Sequence, residues 1–121
     1  MPQIPNYKPK QYDLEGRTLN FSQRVIQYTE KLPTTLSNTE TSKQLIRSAG
    51  SVGANYIEAN ESLGKKDFVM KIRTCKREAK ESCYWLKLTK PNQEEDEERG
   101  YLIQETTELM KIFGSILEKS K

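Results

Sequence analysis

The chain contains no histidine among its 121 residues, and that absence removes more chemistry than any other feature of the sequence. Without imidazole there is no Ser-His or Cys-His nucleophile pair, no histidine general base, and almost none of the ligand sets that catalytic zinc requires. The two cysteines, Cys75 and Cys83, stand eight residues apart. On one helix this is about 12 Å of rise, too far for a disulfide, so both read as reduced thiols that pack as small apolar groups. Four carboxylates draw attention: Glu58, Glu61, Glu78 and Glu81, the last two sharing a helix face. Glutamates on facing bundle helices hold a pair of metal ions in combination with Glu-x-x-His, which this chain lacks. Polar pairing with Arg47, Asn55 or lysine side chains is the expected role. No cofactor, metal site or enzymatic activity is expected.

A second stretch of interest is Arg47-Ser48-Ala49-Gly50-Ser51-Val52-Gly53-Ala54-Asn55, in which six of nine residues are Gly, Ala or Ser. A phosphate-binding loop needs G-x-x-x-x-G-K-[ST], and that spacing is absent. Two glycines inside a helix cost roughly 1 kcal/mol each against alanine, so Gly50 and Gly53 imply a close helix–helix approach, inside the bundle or between subunits.

Charge placement is the remaining candidate. Residues 1–93 carry 16 Lys and Arg against nine Asp and Glu, whereas residues 94–121 carry four against eight. Within 65–90, Lys66, Arg73, Lys80 and Lys87 recur every seven residues, with Arg77 and Tyr84 on the same line. Such a stripe can follow a phosphate backbone, with Arg and Tyr available for stacking. The alternative is a solvated helix face, partly neutralised by the acidic run Glu94–Glu98. Beside the stripe, Trp85 is one residue from the core-facing Leu86, a rotation of about 100° around an α-helix. That places it at the bundle edge or in an interface, where Trp and Tyr are enriched.

These residues need long helices to position them. Leu14, Thr18, Phe21, Val25, Tyr28 and Leu32 recur at alternating spacings of four and three, an a/d seam ended by Pro33. Ser37 followed by Glu40 predicts a capping box, with a second helix from near Asn38 carrying Leu45, Ala49, Val52 and Tyr56 on one line and Ile46, Gly50, Gly53 and Ile57 on the next. Gly64 reads as its stop. A third helix runs from Lys65 to about Lys90 on the line Phe68, Ile72, Cys75, Ala79, Ser82 and Leu86. A fourth, capped by Asn92, buries Leu102, Thr106, Leu109, Phe113 and Ile116, with the acidic run in its first turns where the helix dipole favours it. The fold class is therefore all-α, an antiparallel up-down-up-down four-helix bundle over residues 13–121, preceded by an extended arm over residues 1–12 that contains Pro2, Pro5 and Pro9. Leu, Ile, Val and Phe number only 25, so the core is thin and self-association would complete the burial. No signal-peptide or membrane-spanning stretch is present, which points to a cytoplasmic protein.

The same segments resemble a known family. The stretch Leu45-Ile46-Arg47-Ser48-Ala49 with Ser51-Val52-Gly53-Ala54-Asn55-Tyr56-Ile57-Glu58, then Lys65-Lys66-Asp67-Phe68, then Lys76-Arg77-Glu78-Ala79-Lys80-Glu81-Ser82-Cys83-Tyr84-Trp85-Leu86 carry the likeness, with Asp13-Leu14-Glu15, Phe21 and Lys31-Leu32-Pro33 in support. It is the small bacterial four-helix-bundle family that includes the proteins encoded by intervening sequences within 23S ribosomal RNA genes. The resemblance implies an antiparallel bundle, barrel-like homopentamers, and no enzymatic activity. A related branch, the accessory protein of diversity-generating retroelements, binds nucleic acid and a reverse transcriptase through a basic surface. The expectation is a self-assembling bundle that binds RNA or DNA through Lys66, Arg73, Arg77, Lys80, Tyr84 and Lys87, with Gly50, Gly53 and Trp85 at close packing or oligomer contacts. A structural or protein-partner assembly module without nucleic-acid binding is the alternative.

Overall fold

Helix α1 (Leu14–Glu30) forms on the a/d seam, and its Leu14, Thr18, Phe21, Val25 and Tyr28 are all buried. The computed structural model describes residues 13–121, and the extended arm expected over residues 1–12 lies outside them. Pro33 lies in the short connection to α2 (Leu36–Asn60), which buries Leu45, Ala49, Val52 and Tyr56 as its first apolar line requires. The cap of α2 differs from the sequence expectation. Thr35, in extended backbone, accepts a hydrogen bond from the Asn38 N–H at 3.1 Å. The helix therefore starts at Leu36, Ser37 falls inside its first turn, and Glu40 pairs instead with Lys43 at 3.2 Å. Two hydroxyls two residues apart both satisfy the cap chemistry, and the upstream one wins.

Gly64 also has a different role from the one read in the sequence. Helix α2 ends at Asn60, and Gly64 is the extended N-cap of α3 (Lys65–Leu88), with φ −140°. Helix α3 buries Ile72, Cys75, Ala79, Ser82 and Leu86 on one line. Asn92 makes no side-chain cap; a short 3-10 turn, Gln93–Glu95, leads instead into α4 (Asp96–Lys119). Asp96, Glu97 and Glu98 occupy the first turn of α4, where unsatisfied N–H groups favour negative charge.

Consecutive helices pack antiparallel, and α4 returns to α1 to close the bundle through its thinnest contact. No strand occurs among the described residues, and none of their helices is long and apolar enough to cross a membrane. The core is built around Phe21, Tyr28, Leu45, Ile72, Leu102 and Phe113, all fully buried. Tyr56 tilts against Phe113 with ring centroids 6.1 Å apart. Within the α2–α3 interface the hydroxyls of Ser48 and Ser82 pair with each other, 2.8 Å apart in the buried interior.

Of the two glycines of α2 expected at a close helix approach, the packing within the chain requires only Gly53. A Cβ on Gly53 would lie 2.9 Å from Oγ1 and 3.3 Å from Cβ of Thr18, so this glycine exists to let α1 and α2 approach. Thr18 cannot yield easily, because it is buried and donates its hydroxyl to the Leu14 carbonyl at 2.7 Å. A Cβ on Gly50 would meet only Oγ of Ser22 at 3.8 Å, an ordinary contact. Gly50→Ala is therefore expected to raise stability by up to about 1 kcal/mol through helix propensity. Gly53→Ala should lower it, and Gly53→Leu should cost about 1–3 kcal/mol or more by overpacking. Thermal and denaturant unfolding of the three variants checks the opposite signs.

Candidate nucleic-acid interface

The six residues of the predicted stripe come together. Lys66, Arg73, Arg77, Lys80, Tyr84 and Lys87 all lie on α3 and all are exposed. At about 100° per residue, their line is centred roughly 140° from the buried line of the same helix. From Lys66 to Lys87 the stripe runs about 31 Å at the α-helical rise. Among the described residues, none of the five cations has a carboxylate within ion-pair distance.

The acidic run does not neutralise this stripe by direct pairing. Glu98 of α4 forms a bidentate pair with Arg24 of α1, with Nη2 2.7 Å from Oε1 and Nε 3.0 Å from Oε2. One heptad further along, Arg17 and Glu105 repeat the arrangement at 2.7 and 2.9 Å. Arg24 also sits 3.8 Å over the ring of Tyr101. Asp96 pairs with Arg99 on its own helix. A crevice of about 660 Å³ opens between α1 and α4, with Glu94, Glu95, Glu97 and Glu98 on one side and Arg24 and Lys31 on the other. Negative charge thus gathers along the α1–α4 edge, while the unpaired cations occupy the outer face of α3.

Apolar side chains interrupt the cations. Met70, on the same helical line as the stripe, is 57% exposed, as is Tyr84. Lys65, Lys66, Val69, Met70 and Arg73 enclose a shallow hollow of about 610 Å³ at the start of α3. Leu63, just before that helix, is fully exposed. Sequence reasoning found the cations and Tyr84 but not Met70, although Met70 falls on the same four-three spacing.

Gly50, Gly53 and Trp85 do not join the stripe. The glycines face α1, as described. Trp85 is half-buried against the core on the α2 side of α3. Its Nε1–H donates to Glu81 Oε2 at 3.0 Å, and Arg47 Nη2 donates to the same oxygen at 2.6 Å. The Tyr84 ring stands edge-on to Trp85, with centroids 5.0 Å apart and planes at 71°. A chain of contacts from α2 through Arg47, Glu81 and Trp85 therefore fixes the base on which Tyr84 stands.

Of the four singled-out carboxylates, Glu58 pairs with Lys71 at 2.7 Å, and Glu78 and Glu81 share Arg47. Asn55 takes no part and donates to Ser51 instead. Glu78 Oε1 is buried without a hydrogen-bond donor, 3.7 Å from Arg47 Nη1. Burial, reinforced by the neighbouring Glu81 charge, raises the Glu78 pKa above the usual carboxylate range. The Trp85 N–H, with Arg47, holds Glu81 below it. Burial pushes the Cys75 thiol up to about 12, which suits a packing role in the core.

The two glutamates should respond to pH in opposite directions. Glu78, raised in the folded state, favours folding when protonated and loses that contribution as pH rises through its folded pKa. Glu81, lowered, favours folding when ionised and loses that contribution as pH falls through its folded pKa. At neutral pH, Glu78→Gln should leave the melting temperature unchanged or raise it, and Glu81→Gln should lower it. Melts at neutral pH and near pH 4 check this, since the deficit of Glu81→Gln should shrink in acid.

Comparison with known proteins is consistent with this architecture. A family model described as 23S rRNA-intervening sequence protein matches residues 10–115. Among solved structures, a protein of unknown function from the S23 ribosomal protein family of Bacteroides thetaiotaomicron superposes with a TM-score of 0.69 at 28% identity, over 85% of this chain and 96% of that one. A search of curated proteins finds no match. The family pattern reaches into all four helices and spans nearly the whole sequence, so the chain belongs to the 23S rRNA-intervening sequence protein family.

Proposed function

We propose that this protein is a non-enzymatic, self-assembling bundle of the cytoplasm that binds RNA through the outer face of α3, in association with a ribosomal RNA intervening sequence. The observation that carries the reading is the row of Lys66, Arg73, Arg77, Lys80 and Lys87, exposed and without carboxylate partners among the described residues. Family membership supplies the ribosomal RNA context. Cations already paired within a protein must break those pairs before they can contact phosphate; these need not. The same face would serve DNA, since phosphate contacts position a ligand without reading its sequence, and a reverse transcriptase is the protein partner that the family resemblance implies.

Support for self-assembly comes from a different face. Leu19 and Ile26 lie one heptad apart on α1, and Ile46 and Ile57 lie on the α2 line that contains Gly50 and Gly53. All four are exposed and flank the α1–α2 seam. The family resemblance points to a homopentamer, and repetition of a weak basic face within one particle would strengthen binding through multivalency.

Two experiments test the reading. In filter binding to structured RNA, log K should fall by about 0.7–0.9 per log unit of salt for each phosphate neutralised. Arg73→Gln with Lys80→Gln should reduce that slope by up to about two units per engaged protomer. A slope unchanged by the double variant would remove α3 as the binding face. Light scattering should give a particle of five times the 14.0 kDa chain mass, reduced by Leu19→Lys with Ile46→Lys. A wild type that stays monomeric at micromolar concentration would overturn self-assembly.

A further inference from the structure

We infer that the α3 face takes unpaired rather than duplex RNA, with bases stacking on Tyr84 and entering the Met70 hollow. The inference rests on the nucleic-acid reading above and specifies its ligand. A face meant only for the phosphates of a duplex needs cations and hydrogen-bond donors. This face also carries Tyr84 and Met70, each 57% exposed, among its charges. A-form duplex RNA hides its base faces in the stack, and its major groove is too deep and narrow for side chains to read. Against a duplex, the apolar groups of α3 would have no apolar partner. A single strand presents both things the face offers to meet: a phosphate chain and exposed base faces.

The geometry suits such a ligand. Tyr84 and Met70 stand 14 residues apart on one line of α3, about 21 Å along the axis. Arg73, Arg77 and Lys80 occupy the same line between them, so phosphate contacts alternate with two apolar stations. The Met70 station is a shallow hollow lined by Lys65, Lys66, Val69, Met70 and Arg73. Three of its five lining residues are cations, which suit the phosphates that flank an inserted base. The Tyr84 station is held in place. Its ring rests edge-on against Trp85, whose N–H is anchored to Glu81, which Arg47 of α2 holds in turn. A stacking ring with a fixed base loses less rotational freedom on binding than one free in solvent.

The test uses the full chain and one oligoribonucleotide of mixed, unstructured sequence, offered single-stranded or annealed to its complement. Trp85 is the only tryptophan and lies 5.0 Å from the Tyr84 ring, so its fluorescence reports stacking there. The expected result is tighter binding of the single strand, with quenching of Trp85 that the duplex does not produce. Tyr84→Ala should weaken single-strand binding by roughly tenfold or more, the range for loss of a base–aromatic stack, without altering the salt slope. Tyr84→Phe, which keeps the ring, should restore it. Met70→Gln gives an independent reading at the second station and should also weaken the single strand selectively. If duplex and single strand bind equally, and Tyr84→Ala and Met70→Gln change neither, the stacking inference is overturned. The nucleic-acid reading then survives provided Arg73→Gln with Lys80→Gln still lowers the salt slope. If neither form of RNA binds, both readings fall together.

Discussion

All four helices are tied together at one pair of consecutive residues, Thr89 and Lys90, where α3 ends. Thr89 donates its hydroxyl proton to the Leu86 carbonyl at 2.6 Å, so the buried Tyr28 hydroxyl of α1, 2.7 Å away, must be the donor to Thr89. Arg99 of α4 donates to the Thr89 carbonyl at 2.8 Å. Asn38 of α2 closes the set: its amide donates to the carbonyls of Pro33 and Lys90 and accepts from the Lys90 N–H at 2.9 Å. A buried side-chain amide so fully matched rewards one register only, since a slip would leave several polar groups without partners at roughly 1–3 kcal/mol each. With an apolar core this thin, the axial positions of the helices depend on that polar end. So does the placement of the α3 stripe, whose last cation, Lys87, lies two residues upstream of Thr89.

The thin contact between α1 and α4 is held in another way. Arg17 and Arg24 are one heptad apart, and so are Glu98 and Glu105; run antiparallel, they meet as two bidentate pairs. This arrangement closes the bundle where apolar burial is least. It engages two carboxylates of α4 with α1, while the cations of the α3 stripe carry no carboxylate partner among the described residues.

Most of the framework was readable from spacing. The buried line of α1 was legible at every position from Leu14 to Tyr28, because a four-three repeat admits only one helical face. The cations of α3 were legible for the same reason. The caps were less so, because Thr35, Ser37 and Asn92 all have the right chemistry and only the backbone path selects among them. The role of Asn38 left no local trace, since its partner Lys90 is 52 residues away. The Arg–Glu ladder did leave a trace, two matched heptads of opposite sign, but it becomes meaningful only once α1 and α4 are known to be antiparallel neighbours. Gly53 was legible as a close approach, though the partner, Thr18 of the same chain, was not.

The separation of charge between the α3 face and the α1–α4 edge has a consequence for how a polyanion meets this molecule. The formal net charge is only +3, so attraction averaged over all orientations is weak. An uneven distribution, however, makes the attraction depend on orientation. A polyanion approaching the α3 face meets five cations without carboxylate partners among the described residues, whereas one approaching the α1–α4 edge meets Glu94, Glu95, Glu97 and Glu98. The field of such a polyanion would act on the molecule as a torque before contact, turning the basic face inward at a modest overall charge.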